Sequence, residues 1–390
     1  MTNRSWNIFF SPDERVMALP CWRKPRLYIV SRHWKQRWKD SEFYPAFKPH
    51  AKLFKLAVRM AAALNFFPVR KAGGLSGVQN LKNLVSFDRP AVLVGVEGPT
   101  QKLIARCLDA DGRPVAYIKY GEKPLAIAKL GNEADVLSRT SSARSAVAPQ
   151  LLWCGELGHG RAIIISAVEG EMLEARLSTS VDDDQLMAVK EYLERLRISD
   201  EWFAIEEHPA IIRLRKQVDI LGPQSSVIRP QDFEKTLSPL RGKTWPLAIQ
   251  HGDFTPWNTI RISESRVKRN VLGVRTSADL KPNHLKLKTG TSLRLCAIDW
   301  EEGTTEGFPH FDLVYYVLQT AFLIHNWSPA QALLYARDVL VSDGLNAQQA
   351  LSVIKLAALD ACFRFESRTG AKAEALRQFR LAVINLKPNA

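Results

Sequence analysis

Two stretches decide how this chain is read: HGDFTPWN, His251 to Asn258, and LRLCAIDW, Leu293 to Trp300. The first places a carboxylate two residues after a histidine and an amide five residues after the carboxylate, among glycine and proline, which is loop chemistry. Strand-like apolar runs flank it at Leu247 to Ile249 and Thr259 to Ile262, and a third, Leu293 to Ile298, delivers Asp299 at its end. Asp253 and Asn258 also suit a capped turn, because their short side chains bond nearby backbone. Asp299 is less easily read that way, since an acid placed directly after a buried apolar strand needs a partner or a metal.

Working outward, AVLVGV (Ala91 to Val96), QKLIARCLD (Gln101 to Asp109) and PVAYIKY (Pro114 to Tyr120) predict a three-strand meander with short polar turns. A helix follows around Asn132 to Arg139. LLWCGEL and RAIIISAVEG (Arg161 to Gly170) then read as two more strands. Beyond them the period becomes helical. DDDQLMAVKEYLERLRI sets Leu186, Val189, Leu193 and Leu196 on one face behind aspartates suited to an N-cap. Further helices are expected near 209–221, 311–326, 329–343, 346–368 and 371–385. The predicted class is α+β: a small β-rich lobe over 76–170 and a larger, mainly helical lobe over 171–390.

A chain of 390 residues, 46% hydrophobic and 24% charged, has the means to bury a substantial core. Its five cysteines are scattered without a C-x-x-C pair, which argues against a disulfide framework or a zinc site. No long apolar window is present, so a cytoplasmic protein is expected, with a peripheral position at the inner membrane surface as a variant of that reading. The net charge of +14 is uneven: residues 1–71 hold 15 Lys/Arg against 4 Asp/Glu, and residues 263–292 hold 7 against 2. Residues 1–75 therefore read as a basic aromatic N-terminal extension, and 263–292 as a basic hairpin inserted in the helical lobe, with VLGVRT and HLKLKTG as its strands. Within the extension, His50 to Phe67 is helix-like, with Leu53, Phe54, Leu56, Ala57, Met60, Ala61, Leu64 and Phe67 on an apolar stripe interrupted by Lys52, Lys55 and Arg59. That stripe is expected to dock on the core. The other reading is contact with an anionic membrane, while nucleic-acid binding is disfavoured.

Phosphoryl transfer asks little covalent help of a protein. It needs a cation on the nucleotide phosphates, oxygen ligands for Mg²⁺, and a carboxylate that orients or deprotonates the attacking hydroxyl. Lys119, on the third meander strand, can supply the cation and Glu133, on the next helix, can hold it. Asp253 can take the hydroxyl proton, and Asn258 and Asp299 offer the hard oxygens that Mg²⁺ prefers. Taken alone, Lys119 reads as a strand lysine with its head in water and Glu133 as a solvated helix acid, and only their context raises them.

With these parts in this order, HGDFTPWN followed by AIDW resembles the signature of the aminoglycoside phosphotransferase and choline kinase family, distant relatives of the protein kinases with the same bilobal protein-kinase-like fold. The resemblance runs from about 91 to 340. It implies that Asp253 is the catalytic base, that Asn258 and Asp299 bind magnesium, and that His251 supports the loop. It implies that Lys119 and Glu133 form the nucleotide-holding pair, that the loop Val94 to Lys102 with Gly98 covers the nucleotide, and that Ile164 to Gly170, with Ser166 and Val168, is the adenine-contacting hinge. It also implies that Asp312 in PHFDLVYY braces the catalytic loop from below. The implied activity is an ATP- and Mg²⁺-dependent O-phosphotransferase, with ATP or another nucleoside triphosphate as donor and a small-molecule hydroxyl as acceptor. Gly98-Pro99 is too sparse in glycine to argue a phosphate cradle, which leaves a catalytically weak nucleotide-binding or regulatory module as an alternative, and the basic, amphipathic appendage leaves a membrane-surface lipid or protein kinase as another. Basic appendages disfavour a polycationic acceptor. An aromatic cage for a choline-like cation would draw on Trp202, Trp257, Trp300, Tyr315 and Tyr316. A sugar or lipid-linked saccharide fits the charge better.

Overall fold

A computed structural model describes residues 5–44, 49–73, 77–142, 148–178, 180–222, 227–262, 293–366, 368 and 370–386. The expected hairpin at 263–292 lies outside the described residues. The chain divides into two compact units, Met1–Ser138 with Pro149–Ala167, and Arg139–Ala148 with Val168–Ala390.

The first unit is built on β1 (Arg15–Leu19), β2 (Leu27–Val30), α1 (Trp34–Asp40), α2 (Pro49–Ala63), β3 (Val69–Lys71), α3 (Val78–Leu84), β4 (Arg89–Val94), β5 (Leu103–Leu108), β6 (Pro114–Gly121), α4 (Pro124–Ser142), β7 (Leu151–Leu157) and β8 (Gly160–Ser166). The strands form one antiparallel sheet in the order β3-β1-β2-β4-β5-β6-β8-β7. The predicted meander is present as β4, β5 and β6, and the predicted later pair as β7 and β8, with β8 rather than β7 against β6.

The N-terminal residues are not the separate extension that the sequence suggested. β1 to β3 complete the same sheet, with Leu27 to Ile29 of β2 opposite Ala91 to Leu93 of β4. Alternate residues of β1 and β2 face opposite ways. Val16, Ala18, Tyr28 and Val30 pack with Trp6, Phe9 and Phe10 on one side, while Met17, Leu19, Leu27 and Ile29 pack with Tyr44, Val58 and Ala62 on the other. Strands covered on both faces lose the polar–apolar alternation that would mark them, which is why RVMAL and LYIV do not read as strands in the sequence. A buried, bidentate ion pair, Arg89 to Asp40 at 2.9 and 3.1 Å, ties the end of α1 to the start of β4.

The second unit comprises β9 (Glu171–Met172), α5 (Asp184–Glu194), β10 (Arg197–Ala204), α6 (Pro209–Leu221), α7 (Pro230–Leu237), β11 (Thr244–Gln250), β12 (Thr259–Ile262), β13 (Arg294–Ala297), β14 (Thr304–Gly307), α8 (Phe311–Thr320), α9 (Pro329–Ser342), α10 (Ala347–Arg364) and α11 (Ala371–Asn385). Helix starts follow local chemistry: Asp183 accepts from the Gln185 N–H, and Ser328 with Gln331 and Asn346 with Gln349 form capping boxes. All ten residues of α8 are buried, so it is the spine of this unit. The sequence pattern does not foresee β10 and α7. β11 belongs to the sheet β10-β11-β14 and β12 to the sheet β13-β12-β9, so the HGDFTPWN loop bridges two small sheets.

Candidate active site

The loop between β11 and β12 is held from beneath. The Asp312 carboxylate, in the first turn of α8, accepts the N–H groups of His251 at 2.5 Å and Gly252 at 2.9 Å. Burial pushes the Asp312 carboxyl above its usual range, against the pull of His251 and of these two donors. Asp312 thus has the bracing position the resemblance implied. Gly252 has φ +78°, and a Cβ there would stand 2.3 Å from the Glu302 carbonyl oxygen, so only glycine fits this turn. The buried His251 ring accepts the Asp253 N–H at Nδ1 (3.2 Å) and donates from Nε2 to the Ile298 carbonyl (2.8 Å). Those two bonds occupy both ring nitrogens, which suits support and not proton transfer.

Asp253 is presented by two donors. The Tyr315 hydroxyl donates to Oδ1 at 2.7 Å, and Arg368 Nη2 lies 3.2 Å from Oδ2. Burial, with the Asp253 charge beside it, holds the Tyr315 hydroxyl far above its ordinary pKa, so it remains a donor. The Asn258 amide donates from Nδ2 to the Asp253 carbonyl at 2.9 Å, which turns Oδ1 into the group it has to offer. Ile298 N–H donates to the Asn258 carbonyl (2.8 Å), and the β12–β13 register sets Thr259 opposite Ala297. Asn258 and Asp299 therefore lie at the same end of that ladder. Asp299 has φ +69°, a strained left-handed conformation for a non-glycine residue. An amide oxygen and a carboxylate fit the hard-oxygen preference of Mg²⁺.

In the first unit Lys119 of β6 meets Glu133 of α4, with Nζ at 2.6 and 2.9 Å from the two carboxylate oxygens, both side chains buried. The pair that the sequence left open as two surface residues is thus formed. The Gly98 carbonyl accepts from Lys123 Nζ at 2.7 Å. The tight point of this loop is Gly95: its N–H donates to the Lys102 carbonyl at 2.8 Å, and a Cβ there would approach that oxygen to 2.7 Å. Ser166 ends β8 with its hydroxyl accepting the Gln150 N–H (2.9 Å), and Val168, half-buried, opens the second unit.

Of the rings considered for a cation cage, Trp300, Tyr315 and Tyr316 are buried, leaving Trp257 half-exposed and Trp202 exposed. Sequence reasoning missed Tyr315 as a partner of Asp253: it lies three residues after Asp312 on one helix, but nothing along the chain brings that helix face to the loop. Arg368, 115 positions from Asp253, carried none.

No family model and no curated protein matches the chain. Among solved structures, aminoglycoside-3'-phosphotransferase of type VIII aligns at 16% identity over 73% of this chain and 97% of that one, with a TM-score of 0.42. An aminoglycoside phosphotransferase from Streptomyces rimosus aligns at 17% identity over 76% and 93%, TM-score 0.34. Spectinomycin phosphotransferase, in complex with ADP and spectinomycin, aligns at 12% identity over 80% and 95%, TM-score 0.38. Likenesses this loose bear no functional weight. What the chain itself shows is an order of parts: a lysine on β6, a glutamate on α4, the loop after β11, and an aspartate after β13.

Proposed function

We propose that this chain is an ATP- and Mg²⁺-dependent O-phosphotransferase acting on a small-molecule hydroxyl acceptor, a sugar or lipid-linked saccharide. The observation that carries this reading is the presentation of Asp253: Oδ1 is held by Tyr315 and the backbone beneath is clipped by Asn258 and Asp312. A carboxylate fixed in this way is placed to accept the proton of an attacking hydroxyl. As the acceptor oxygen bonds to the γ-phosphorus, the bond to the leaving nucleoside diphosphate oxygen breaks and the proton passes to Asp253. Mg²⁺, when bound, neutralises charge on the phosphates, and Asn258 and Asp299 are the residues that would hold it. Lys119, steered by Glu133, would take the α and β phosphates.

A second reading, a nucleotide-binding module with little turnover, is favoured by one feature: the Arg368 ion pair occupies an oxygen of the base. Transfer of γ-labelled phosphate from ATP across a panel of hydroxyl acceptors separates the two. We expect transfer by the native chain, and a fall in kcat of about 10²- to 10⁴-fold in Asp253→Asn with nucleotide binding retained. Binding of Mg-ATP by the native chain without transfer or hydrolysis would leave only the second reading.

A further inference from the structure

α2 is seated on the sheet the opposite way round from what its composition predicts. The face turned inward is small: Val58 and Ala62 are buried with Met17, Leu19, Leu27 and Ile29. The face turned outward is the apolar stripe itself, with Leu53 71%, Phe54 52%, Leu56 44%, Met60 52% and Leu64 67% exposed. Leu53, Leu56, Met60 and Leu64 recur at intervals of three and four, so they form one ridge along the helix. The helix is held there by contacts that spare the ridge. Arg37 donates to the carbonyls of Ala62 and Ala63 at 2.9 and 2.8 Å, closing its C-terminus, and Arg59 stacks over Trp38 at 4.3 Å. A ridge of large apolar side chains on an anchored helix marks an interaction surface and not a packing accident.

The charges identify the partner. Lys52, Lys55 and Arg59 border the ridge, and α2 contains no acid at all. Burial, then Arg59, hold the Lys55 ammonium below its ordinary pKa, with Glu42 opposing and Arg106 adding to the shift. A second copy of the helix would bring like charges together with nothing to pair them, whereas anionic headgroups satisfy them while the acyl boundary takes the ridge. No described helix is long and apolar enough to cross a membrane. We infer that α2 lies in the surface of an anionic lipid bilayer, with Leu53, Leu56, Met60 and Leu64 inserted and Lys52 and Lys55 on the headgroups.

The test is co-sedimentation of the full chain with vesicles of phosphatidylcholine alone and of phosphatidylcholine with phosphatidylglycerol, for the native protein and for Leu53→Glu/Met60→Glu/Leu64→Glu. All three positions are exposed, so the variant should melt like the native chain and its folding can be checked independently. We expect binding to the anionic vesicles alone, weakened by added salt, and at least about a tenfold loss of partitioning in the variant. Met60→Trp provides a second readout, a blue shift of its emission on anionic vesicles. Absence of binding, equal binding to neutral vesicles, binding unchanged in the folded triple variant, or a native dimer that the triple variant dissolves would each overturn the inference.

Discussion

Asp253 is addressed by two donors of different kinds, and they have separable consequences. Tyr315 is a neutral hydroxyl that fixes the carboxylate rotamer, so Tyr315→Phe should lower kcat about tenfold with the KM for ATP unchanged, measured in steady-state phosphate transfer. A second residue-scale effect lies away from the loop. His208 caps α6, its Nδ1 accepting the Ala210 N–H at 3.3 Å while Nε2 donates to the Pro246 carbonyl at 3.2 Å. Burial lowers its pKa from 6.5 to about 4. The unfolded chain therefore binds this proton more readily. The stability from a neutral His208 is fully present above about pH 6.5 and is lost as pH falls towards 4, on the order of 3 kcal/mol. His208→Asn retains a capping side chain without the titration, so thermal melts of that variant should fall less steeply over this interval. Neither His208 nor Tyr315 declares its role in sequence, because each role consists of a neighbour supplied by another element.

At the scale of elements, the Lys119–Glu133 pair couples β6 to α4, and under the proposed function the same two groups would serve stability and nucleotide binding. A buried pair missing one partner leaves an uncompensated charge, so Lys119→Met is expected to cost about 3–5 kcal/mol in chemical denaturation. Lys119→Met/Glu133→Gln should recover most of that loss while nucleotide binding stays impaired; recovery of both would show the pair to be structural only. The meander carrying Lys119 was legible because its strands are separated by polar turns of ordinary kind, and α5 because Asp183 caps it. The start of α4 was not: the sequence pattern places it at Asn132, eight residues after Pro124. Proline at a first helical turn marks a start as readily as a break. β10 was missed because RISDEWFA has no strand alternation, and it is a strand through its pairing with β11.

For the whole molecule, the consequence concerns residues 1–75. They supply three strands of the eight-stranded sheet and the aromatic cluster of Trp6, Phe9 and Phe10 on one of its faces. Removing them would expose the β4 edge and the apolar faces they cover, so a chain beginning at residue 76 should be recovered insoluble or without a cooperative melt, where a separable extension would leave a folded remainder. Sequence by itself determined the order of chemical parts, Lys119, Glu133, Asp253, Asn258 and Asp299, together with the strand and helix pattern that carries them. Those signals are local: a turn residue, a cap or an apolar period depends on neighbours along the chain. Only the tertiary structure decided that Tyr315 and Arg368 hold the Asp253 carboxylate, that the basic N-terminus completes the sheet, and that α2 turns its small residues inward and its leucines out. Each of these depends on which surfaces meet, and burial on both faces or on the smaller face leaves no period in the sequence from which to read it.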